Sequence, residues 1–273
     1  MDLSIIILQH NSSEDTTKCL ESFKKAVLPE ETEFIVVNNG GNNANDKILE
    51  DSYKSLNIKF SDIPNKGFAN GNNEGLKLAS GKFCAFVNPD IIVEIDTVKI
   101  LMEYFKKQQS VGIVAPQLYY PNGKIQDNFR VFPKFRDLII KRTRIFHKIF
   151  LKRLRKYLLW DKDPNKNFPV DWVTGAFMIV KRECLEKVNN HDERLFLFMS
   201  DLVMCRDAWD NGFEVHFVGV AKALHHESRL SGGNIFDIFR KKSLRIHIID
   251  AFKYYFIYKF KKFPINSPSG KRE

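Results

Sequence analysis

The sequence predicts an α/β fold with a mainly parallel central sheet flanked by helices. In the first half of the 273-residue chain, short apolar runs alternate with stretches that resemble helices. Polar loops, rich in asparagine, follow the apolar runs. This alternation is typical of parallel sheets, whose strands are joined by helices. With 44% hydrophobic residues, the chain can also bury one large core, so a single main domain is expected.

The predicted elements of the first half follow in order. The apolar run Leu3–Leu8 is the first strand, and the polar residues Asn11–Ser13 supply a cap for a helix over Asp15–Lys25. The remaining elements of this half are the strands Glu33–Val37, Ile58–Ser61 and Phe83–Val87 and the helix Asn72–Ala79.

The second half is less regular. Residues 111–133 predict a strand with a turn at Pro121–Gly123, and an apolar stretch from 171 to 180 precedes helical sequence. The predicted division is a main domain over 1–233 and a C-terminal basic helix and tail over 234–273. The main domain has halves at 1–110 and 111–233, and the second half carries a basic helical insertion at about 134–160.

The net charge of +10 is concentrated in two segments. Residues 134–156 hold ten Lys and Arg against Asp137, and residues 240–262 hold eight against Asp250. Apolar residues recur at helical spacing in both segments, as on helices that lie on an anionic membrane surface. Packing of these apolar faces on the core or on a second subunit, as in a homodimer, is the alternative. Nucleic acid is a weaker candidate partner, because the charge is not spread over the chain.

Several classes of protein are disfavoured. The four cysteines form no CxxC pair and lie in apolar or helical segments, so neither a zinc site nor a disulfide framework is expected. No stretch reaches about 18 uninterrupted apolar residues, the length that suggests a membrane span. The first residues lack a basic leader. The expected location is the cytoplasm, with peripheral attachment to the inner face of the membrane.

The tripeptide Asn88-Pro89-Asp90 places a carboxylate at the end of a predicted strand, in a turn that proline stiffens. Such a carboxylate suits Mg²⁺ or Mn²⁺ beside a diphosphate, although an ordinary turn is the alternative. Ligands of parallel sheets collect beyond the carboxyl ends of the strands. The loops at Gln9–Ser12, Asn38–Asn45 and Asn88–Asp90 should therefore share one crevice.

A series of motifs runs in order from Ser4 to about Gly233. Its members are Ser4–Asn11, Ile35–Asn39, Asn65–Ala69 with Asn73 and Gly75, Phe86–Asp90, Pro121–Gly123, Asp171–Trp172 with Gly175–Phe177, and Asp192–Arg194. The series resembles glycosyltransferase family 2, in particular its bacterial rhamnosyltransferase-like branch. The resemblance implies a GT-A fold and an inverting, metal-dependent enzyme. It would move a sugar from a dTDP- or UDP-sugar to a lipid-linked or polysaccharide acceptor in cell-surface glycan synthesis. Rhamnose is the first candidate for that sugar.

The resemblance also implies the residues of the donor site. They are Gln9, Asn11, Asn38, Asn65, Gly67, Asn73, Asn88 and Asp90. Asn38 stands where the family has an acid that contacts the donor's uracil or thymine, and an amide can both donate to and accept from a pyrimidine. A turn in which Asn38 and Asn39 bond their own backbone is the alternative. Gly67 could allow a nucleotide to approach the backbone or could form a helix-entry turn.

On the acceptor side, the resemblance implies Asp201 as the general base. The family usually carries two neighbouring acids there, and this chain has Ser200 and Val203 in their places. Losing those charges lowers the pKa of Asp201 and apolar surroundings raise it, and the sequence does not decide between them. Capping of the helix Leu202–Asp210 is an alternative role for Asp201. The implied acceptor residues are Trp172, Gly175, Ala176, Asp192 and Glu193.

Two further choices complete the expected site. His226 fits the family's late histidine better than His225, because of its spacing to Ser231, and would join Asp90 on the metal. Trp172 could stack on an acceptor sugar or pack in the core. The missing acids at Ser200 and Val203 keep a second function open, that of a catalytically silent GT-A-like partner subunit that binds nucleotide or glycan.

Overall fold

The computed structural model describes residues 1–40, 49, 51–53, 57–142, 149–188, 190–226, 241–258 and 261–272. Parts of three predicted features lie outside these residues. They are loop residues 41–45, the segment 143–148 of the basic insertion, and residues 227–240 with the Ser231–Gly233 motif.

The described strands form one large sheet and one small one. The large sheet has the order β3-β2-β1-β4-β10-β6-β11-β5, with β8 paired to β11. Its strands are β1 Leu3–Gln9, β2 Thr32–Asn39, β3 Ile58–Ile63, β4 Phe83–Val87, β5 Ile91–Val93, β6 Val111–Tyr119, β8 Asn167–Pro169, β10 Phe177–Lys181 and β11 Glu214–His225. The small sheet pairs β7 Phe129–Arg130 with β9 Trp172–Val173. The strands from β3 to β4 are parallel, as predicted, whereas β10 runs antiparallel between β4 and β6.

Helices cover both faces of the large sheet. They are α1 Ser13–Lys25, α2 Phe68–Leu78, α3 Thr97–Lys107, α4 Phe135–Arg142, α5 Leu151–Leu158, α6 Arg182–Val188, α7 Ser200–Asp210 and α8 Lys242–Tyr258. Alternate residues of the buried strand β1 serve the two faces. Ile5 and Ile7 belong to the cluster that includes Phe23 of α1, and Ile6 and Leu8 belong to the cluster on the other face.

Helix α2 begins at Phe68, four residues before the predicted start. Its first turns are rich in glycine and asparagine, which are weak helix formers. Packing explains why the helix forms there. A Cβ atom on Gly71 would lie 2.5 Å from Leu8 Cδ1, and one on Gly75 would lie 2.5 Å from Ile6 Cγ2. The glycines thus let α2 lie closer to β1 than any other residue would allow.

The C-terminal helix α8 packs on the main domain. Leu244, Tyr254 and Tyr258 are buried, and both tyrosines belong to a core cluster of the main domain. The buried Arg206 of α7 donates to Tyr254 Oη at 3.0 Å. Beyond the helix, the backbone N–H of Ser269 donates to Asp171 at 2.9 Å. The described part of the C-terminal segment therefore shares the core of the main domain. No helix in the described ranges combines the length and hydropathy needed to cross a bilayer.

Candidate active site

The loops after β1, β2 and β4 meet at the carboxyl edge of the parallel strands. The pairing of β1 with β2 places Gln9 opposite Asn38, and the pairing with β4 places Ile7 opposite Val87. The side chain of Gln9 is buried and lies within hydrogen-bond reach of Thr16. Asn11 is exposed in the following loop and has a φ of 52°. The backbone geometry thus brings together the described beginnings of the three loops that the sequence assigned to one crevice.

An acid that the sequence analysis missed lies beside Asn38. The Asn38 Nδ2 atom donates to Asp62 Oδ1 at 2.8 Å, and Asp62 is exposed at the neighbouring position of β3. Asn38 itself is buried. This edge of the sheet therefore carries a carboxylate one strand away from the position where the family has its acid. Parallel pairing of β2 with β3 could have indicated this neighbour, because Asn38 and Asp62 both stand one residue before the ends of their strands.

Three residues assigned to the donor site also make contacts within the protein. Asn65 Oδ1 accepts a hydrogen bond from the backbone N–H of Gly67 at 3.0 Å. Gly67 has a φ of +104°, and a Cβ there would lie 2.3 Å from Phe196 O, so its close approach is to protein backbone. Both donors and the acceptor of the Asn73 amide are used by His191 and Glu193. These contacts give structural roles to Gly67 and Asn73, whose nucleotide-binding roles stay predictions.

Asp90 faces a histidine. β11 extends to His225, which pairs with Ile91 of β5, so the His225 ring lies directly beside Asp90. His225 Nε2 lies 3.4 Å from Asp90 Oδ1, and His225 Nδ1 lies 2.8 Å from Gln126 Oε1. His226 approaches Asp90 through its backbone N–H, which donates to Asp90 O at 3.2 Å, and its side chain is exposed. The ring next to the carboxylate is therefore that of His225, whereas the spacing to Ser231 favoured His226.

The pair of Asp90 and His225 can supply two ligands to a divalent cation. Adjacent ligands of an octahedral Mg²⁺ lie about 3 Å apart, close to the separation of these two atoms. Among the residues that the structure describes, no group of three or more His, Cys, Asp or Glu side chains is arranged to hold a metal ion. The residues present therefore fit a cation that takes its other ligands from a diphosphate and water.

Asp201 is the second residue of α7 and lies against the strand-entry loop at Gly175. The backbone N–H of Gly175 donates to Asp201 Oδ2 at 2.9 Å, and that of Leu202 donates to Oδ1 at 2.8 Å. Burial raises the pKa of Asp201 above its usual range, against the lowering effect of these two bonds. Burial thus outweighs both the two hydrogen bonds and the nearby charge of Arg130. Asp201 also accepts a hydrogen bond within the first turn of its own helix, and this contact is compatible with the catalytic role expected of it.

Asp90 and Asp201 are carried by neighbouring segments. The backbone N–H of Asn88 donates to Ala176 O at 2.8 Å, and Gly175 binds Asp201. The antiparallel pairing of Phe177 with Val87 brings the start of β10 to the end of β4. Both carboxylates are therefore attached to the same edge of the sheet.

Three residues assigned to the acceptor have other surroundings. Trp172 is 6% exposed, donates through Nε1 to Val131 O and lies under the Arg130 guanidinium. This burial favours the core alternative for Trp172, and its stacking on an acceptor sugar stays a prediction. Asp192 forms an ion pair with Arg194, and Glu193 accepts hydrogen bonds from Asn70 and Asn73. Glu193 thus ties its loop to α2, and Asp192 makes an ion pair within the loop.

Comparison with known proteins places these features in a family. The family described as "Glycosyl transferase family 2" matches residues 4–188. The rhamnosyltransferase WbbL of Escherichia coli (strain K12) is 24% identical over 262 residues, which are 92% of this chain and 91% of that protein. The N-acetylglucosaminyl-diphospho-decaprenol L-rhamnosyltransferase of Mycobacterium tuberculosis (strain ATCC 25618 / H37Rv) is 24% identical over 148 residues, or 53% of this chain and 47% of that protein.

A solved structure supports the fold. GalNAc-T7 with UDP, GalNAc and Mn²⁺ superposes with a TM-score of 0.61 at 15% sequence identity, over 83% of this chain and 44% of that one. This likeness concerns the fold alone, whereas the sequence match covers most of the chain. The chain therefore belongs to glycosyltransferase family 2 and is a glycosyltransferase with the GT-A fold.

Proposed function

We propose that this enzyme is an inverting, metal-dependent transferase that moves a sugar from a dTDP- or UDP-sugar onto a lipid-linked or polysaccharide acceptor. Rhamnose is the first candidate for the sugar, and the reaction is a step in cell-surface glycan synthesis. Two relatives that are named as rhamnosyltransferases support the sugar, and the name of one includes a diphospho-decaprenol carrier. The observation that carries the proposal is the attachment of Asp90 and Asp201 to one edge of the sheet through Asn88, Gly175 and Ala176.

Asp201 acts as the base in this mechanism. Its carboxylate takes the proton of the acceptor hydroxyl while the hydroxyl oxygen attacks the anomeric carbon of the donor. The new carbon–oxygen bond forms on one face of the sugar as the bond to the diphosphate breaks on the other, and the electron pair leaves with the diphosphate. A raised pKa makes Asp201 a stronger base than an ordinary aspartate once it is ionised.

Asp90 and His225 would hold the divalent cation, Mn²⁺ or Mg²⁺. The bound cation supplies charge neutralisation for the departing diphosphate. The likeness to a structure that was solved with Mn²⁺ supports this choice. Asn38 and Asp62 would bind the pyrimidine, because an imide N–H can donate to the Asp62 carboxylate and an imide carbonyl can accept from an amide.

We also place the enzyme on an anionic membrane surface. The exposed apolar side chains of α4 and α8 form one face, here called the aromatic face, which comprises Phe135, Ile139, Ile249, Phe252 and Phe256. The rings of Phe135 and Phe252 lie 6.2 Å apart, so the two helices contribute to one surface. Exposed basic residues, among them Arg136 and Lys253, flank it. Aromatic side chains among cations suit the headgroup region of an anionic bilayer.

Vesicle sedimentation tests this placement. Replacing Phe252 and Phe256 by serine should reduce binding to vesicles that contain anionic phospholipid and leave turnover of a soluble acceptor unchanged. Ile95→Ser is the matched control, because Ile95 is 62% exposed but lies outside the aromatic face. Equal binding by the double variant and the unmodified protein would count against the aromatic face as the membrane contact.

A donor panel tests the activity. The unmodified protein is incubated with dTDP- and UDP-sugars, a lipid-linked saccharide and Mn²⁺ or Mg²⁺, and nucleotide release is measured. We expect turnover that chelation of the metal abolishes. Nucleotide binding without turnover across the panel would favour the silent partner subunit, whose supporting observation is that Ser200 and Val203, both buried, bring no carboxylate to Asp201.

A further inference from the structure

The loop that precedes Asp201 is held by a buried carboxylate from the C-terminal helix. Residues 195–199, here called the base loop, lead directly into Ser200 and Asp201 at the start of α7. Asp250 of α8 has no exposed surface, and its carboxylate accepts three hydrogen bonds from base-loop backbone. The donors are the N–H groups of Phe196 at 3.2 Å, Leu197 at 3.0 Å and Phe198 at 3.0 Å.

A second tie follows one turn later on α8. Lys253 Nζ lies 3.9 Å from Asp250 Oδ1 and donates to Arg194 O at 2.6 Å, just before the base loop. Removing a carboxylate from water is strongly unfavourable unless hydrogen bonds and an opposite charge compensate. Here both compensations are present, and every one of the backbone donors belongs to the base loop. The buried, ionised carboxylate is therefore favourable only while the base loop keeps the conformation that supplies these donors.

The opposite side of the base loop rests on α2. The backbone N–H of Phe68 donates to Phe196 O at 2.6 Å, and Gly67 leaves room for Phe196 by having no side chain. The loop then ends at Met199, a non-glycine residue with a φ of 69°. Such a conformation persists only where the surroundings determine it. The contacts with α2 and α8 hold Phe196–Phe198, directly before Met199, and Met199 lies two residues before Asp201.

We propose that Asp250 is a positioning residue for glycosyl transfer: by fixing the base loop against α8, it holds the Asp201 carboxylate in the orientation needed to receive the acceptor's proton. This inference rests on the role of Asp201 in the proposed function. It gives the C-terminal segment a part in catalysis, although no atom of Asp250 contacts the reacting groups. An error of about 1 Å in the position of a catalytic group can cost about a hundredfold in rate.

The main test compares Asp250→Asn with Glu33→Gln in the full-length protein. Asp250→Asn replaces one acceptor oxygen by an N–H donor that faces backbone N–H groups. We expect kcat to fall roughly 10- to 100-fold while KM for the donor changes less than about twofold. Glu33 is a matched control, because it is a buried carboxylate with several hydrogen bonds at the other edge of the sheet. Glu33→Gln should lower Tm and keep kcat.

A second measurement is independent of turnover. Hydrogen exchange of the amides of Phe196–Phe198 and Leu202 should become faster in Asp250→Asn and stay unchanged in Glu33→Gln. Unchanged exchange in Asp250→Asn, or a kcat equal to that of the unmodified enzyme, overturns the proposal. If Asp250→Asn does not fold, Asp250→Glu replaces it in the same test. We then expect a lower kcat with an unchanged KM for the donor. An unchanged kcat would overturn the proposal.

Asp201→Asn, measured in parallel, separates the two levels of inference. Full activity in Asp201→Asn would remove the proposed base, and the exchange measurement would then decide alone whether Asp250 fixes the loop. Loss of activity in Asp201→Asn together with normal kcat in Asp250→Asn would keep the proposed function and reject the positioning role.

Discussion

Buried carboxylates at the two edges of the parallel strands differ in their electrostatics. At the amino edge, Glu33 accepts hydrogen bonds from Ser4, Ser80 and Lys59. Burial opposes its ionisation, but these partners prevail and lower its pKa to about 2. At the carboxyl edge, Asp201 has two backbone donors, and burial raises its pKa. A carboxylate with a cation and a complete set of donors stabilises the fold, whereas one kept in apolar surroundings with few donors is suited to exchange a proton.

The largest expected effect concerns Asp201. Asp201→Asn should lower kcat by roughly 10²- to 10⁴-fold, the range that general base catalysis contributes. Its thermal stability at neutral pH should fall less than that of Glu33→Gln, because removing the charge of a group with a raised pKa favours the folded state and offsets the loss of one backbone hydrogen bond. Nucleotide-release kinetics measure kcat, and calorimetry measures the thermal stability. A strongly destabilised Asp201→Asn protein with normal kcat would mean that Asp201, like Glu33, has a structural role and not a catalytic one.

The opposite behaviour is expected of Glu33. Glu33→Gln should reduce the free energy of unfolding by about 1–3 kcal/mol, because a buried hydrogen-bonded charge loses its partners, and it should leave kcat unchanged. Its lowered pKa means that the contribution is present above the usual pKa of glutamate and is lost as pH falls through the folded value of about 2. Urea unfolding at several pH values measures this. A stability difference that grew on acidification would contradict the comparison.

A smaller effect is expected at Asp62, an exposed carboxylate on the carboxyl edge. Asp62→Asn should weaken binding of UDP or dTDP about tenfold, since one charge-assisted hydrogen bond contributes about 1.5 kcal/mol. Asp2, an exposed carboxylate at the amino edge that pairs with Lys82, is the control, and Asp2→Asn should not change binding. Titration calorimetry compares them. Equal affinities for both variants would remove Asp62 from the nucleotide site.

The smallest effect is a shift in pH dependence. The acidic limb of kcat/KM should lie above the ordinary pKa of aspartate, because Asp201 must lose its proton before it can accept another. Glu33→Gln should leave this limb in place. An acidic limb of kcat/KM at the ordinary pKa of aspartate would mean that a carboxylate other than Asp201 controls the rate.

The sequence predicted the first half of the fold well because β1, β2 and β4 are buried on both faces and therefore appear as apolar runs. Phe83–Val87 was bounded correctly, and the start of α2 was missed because contacts of Gly71 and Gly75 with β1 override weak helix propensity. The choice between His225 and His226 was made on spacing to Ser231, whereas the pairing of β11 with β5 decides which ring meets Asp90.

The contacts that build the site are mostly long-range, which limits what a sequence can reveal. Asp201 and Asp90 could be placed through the motifs of the family. The partnership of Asn38 with Asp62 depends on strand register, and that of Asp250 with the base loop depends on where α8 docks. Trp172 illustrates a different limit, because an aromatic residue in a motif looks the same whether its faces are open or packed.

The position of β10 has a consequence for engineering. This strand comes from the second half of the chain but lies between β4 of the first half and β6, and it bonds to both. Grafting the acceptor half of one transferase onto the donor half of another would thus require rebuilding the middle of the sheet. New acceptor preferences are better sought by exchanging exposed loops, which leaves both the shared strand and the base loop untouched.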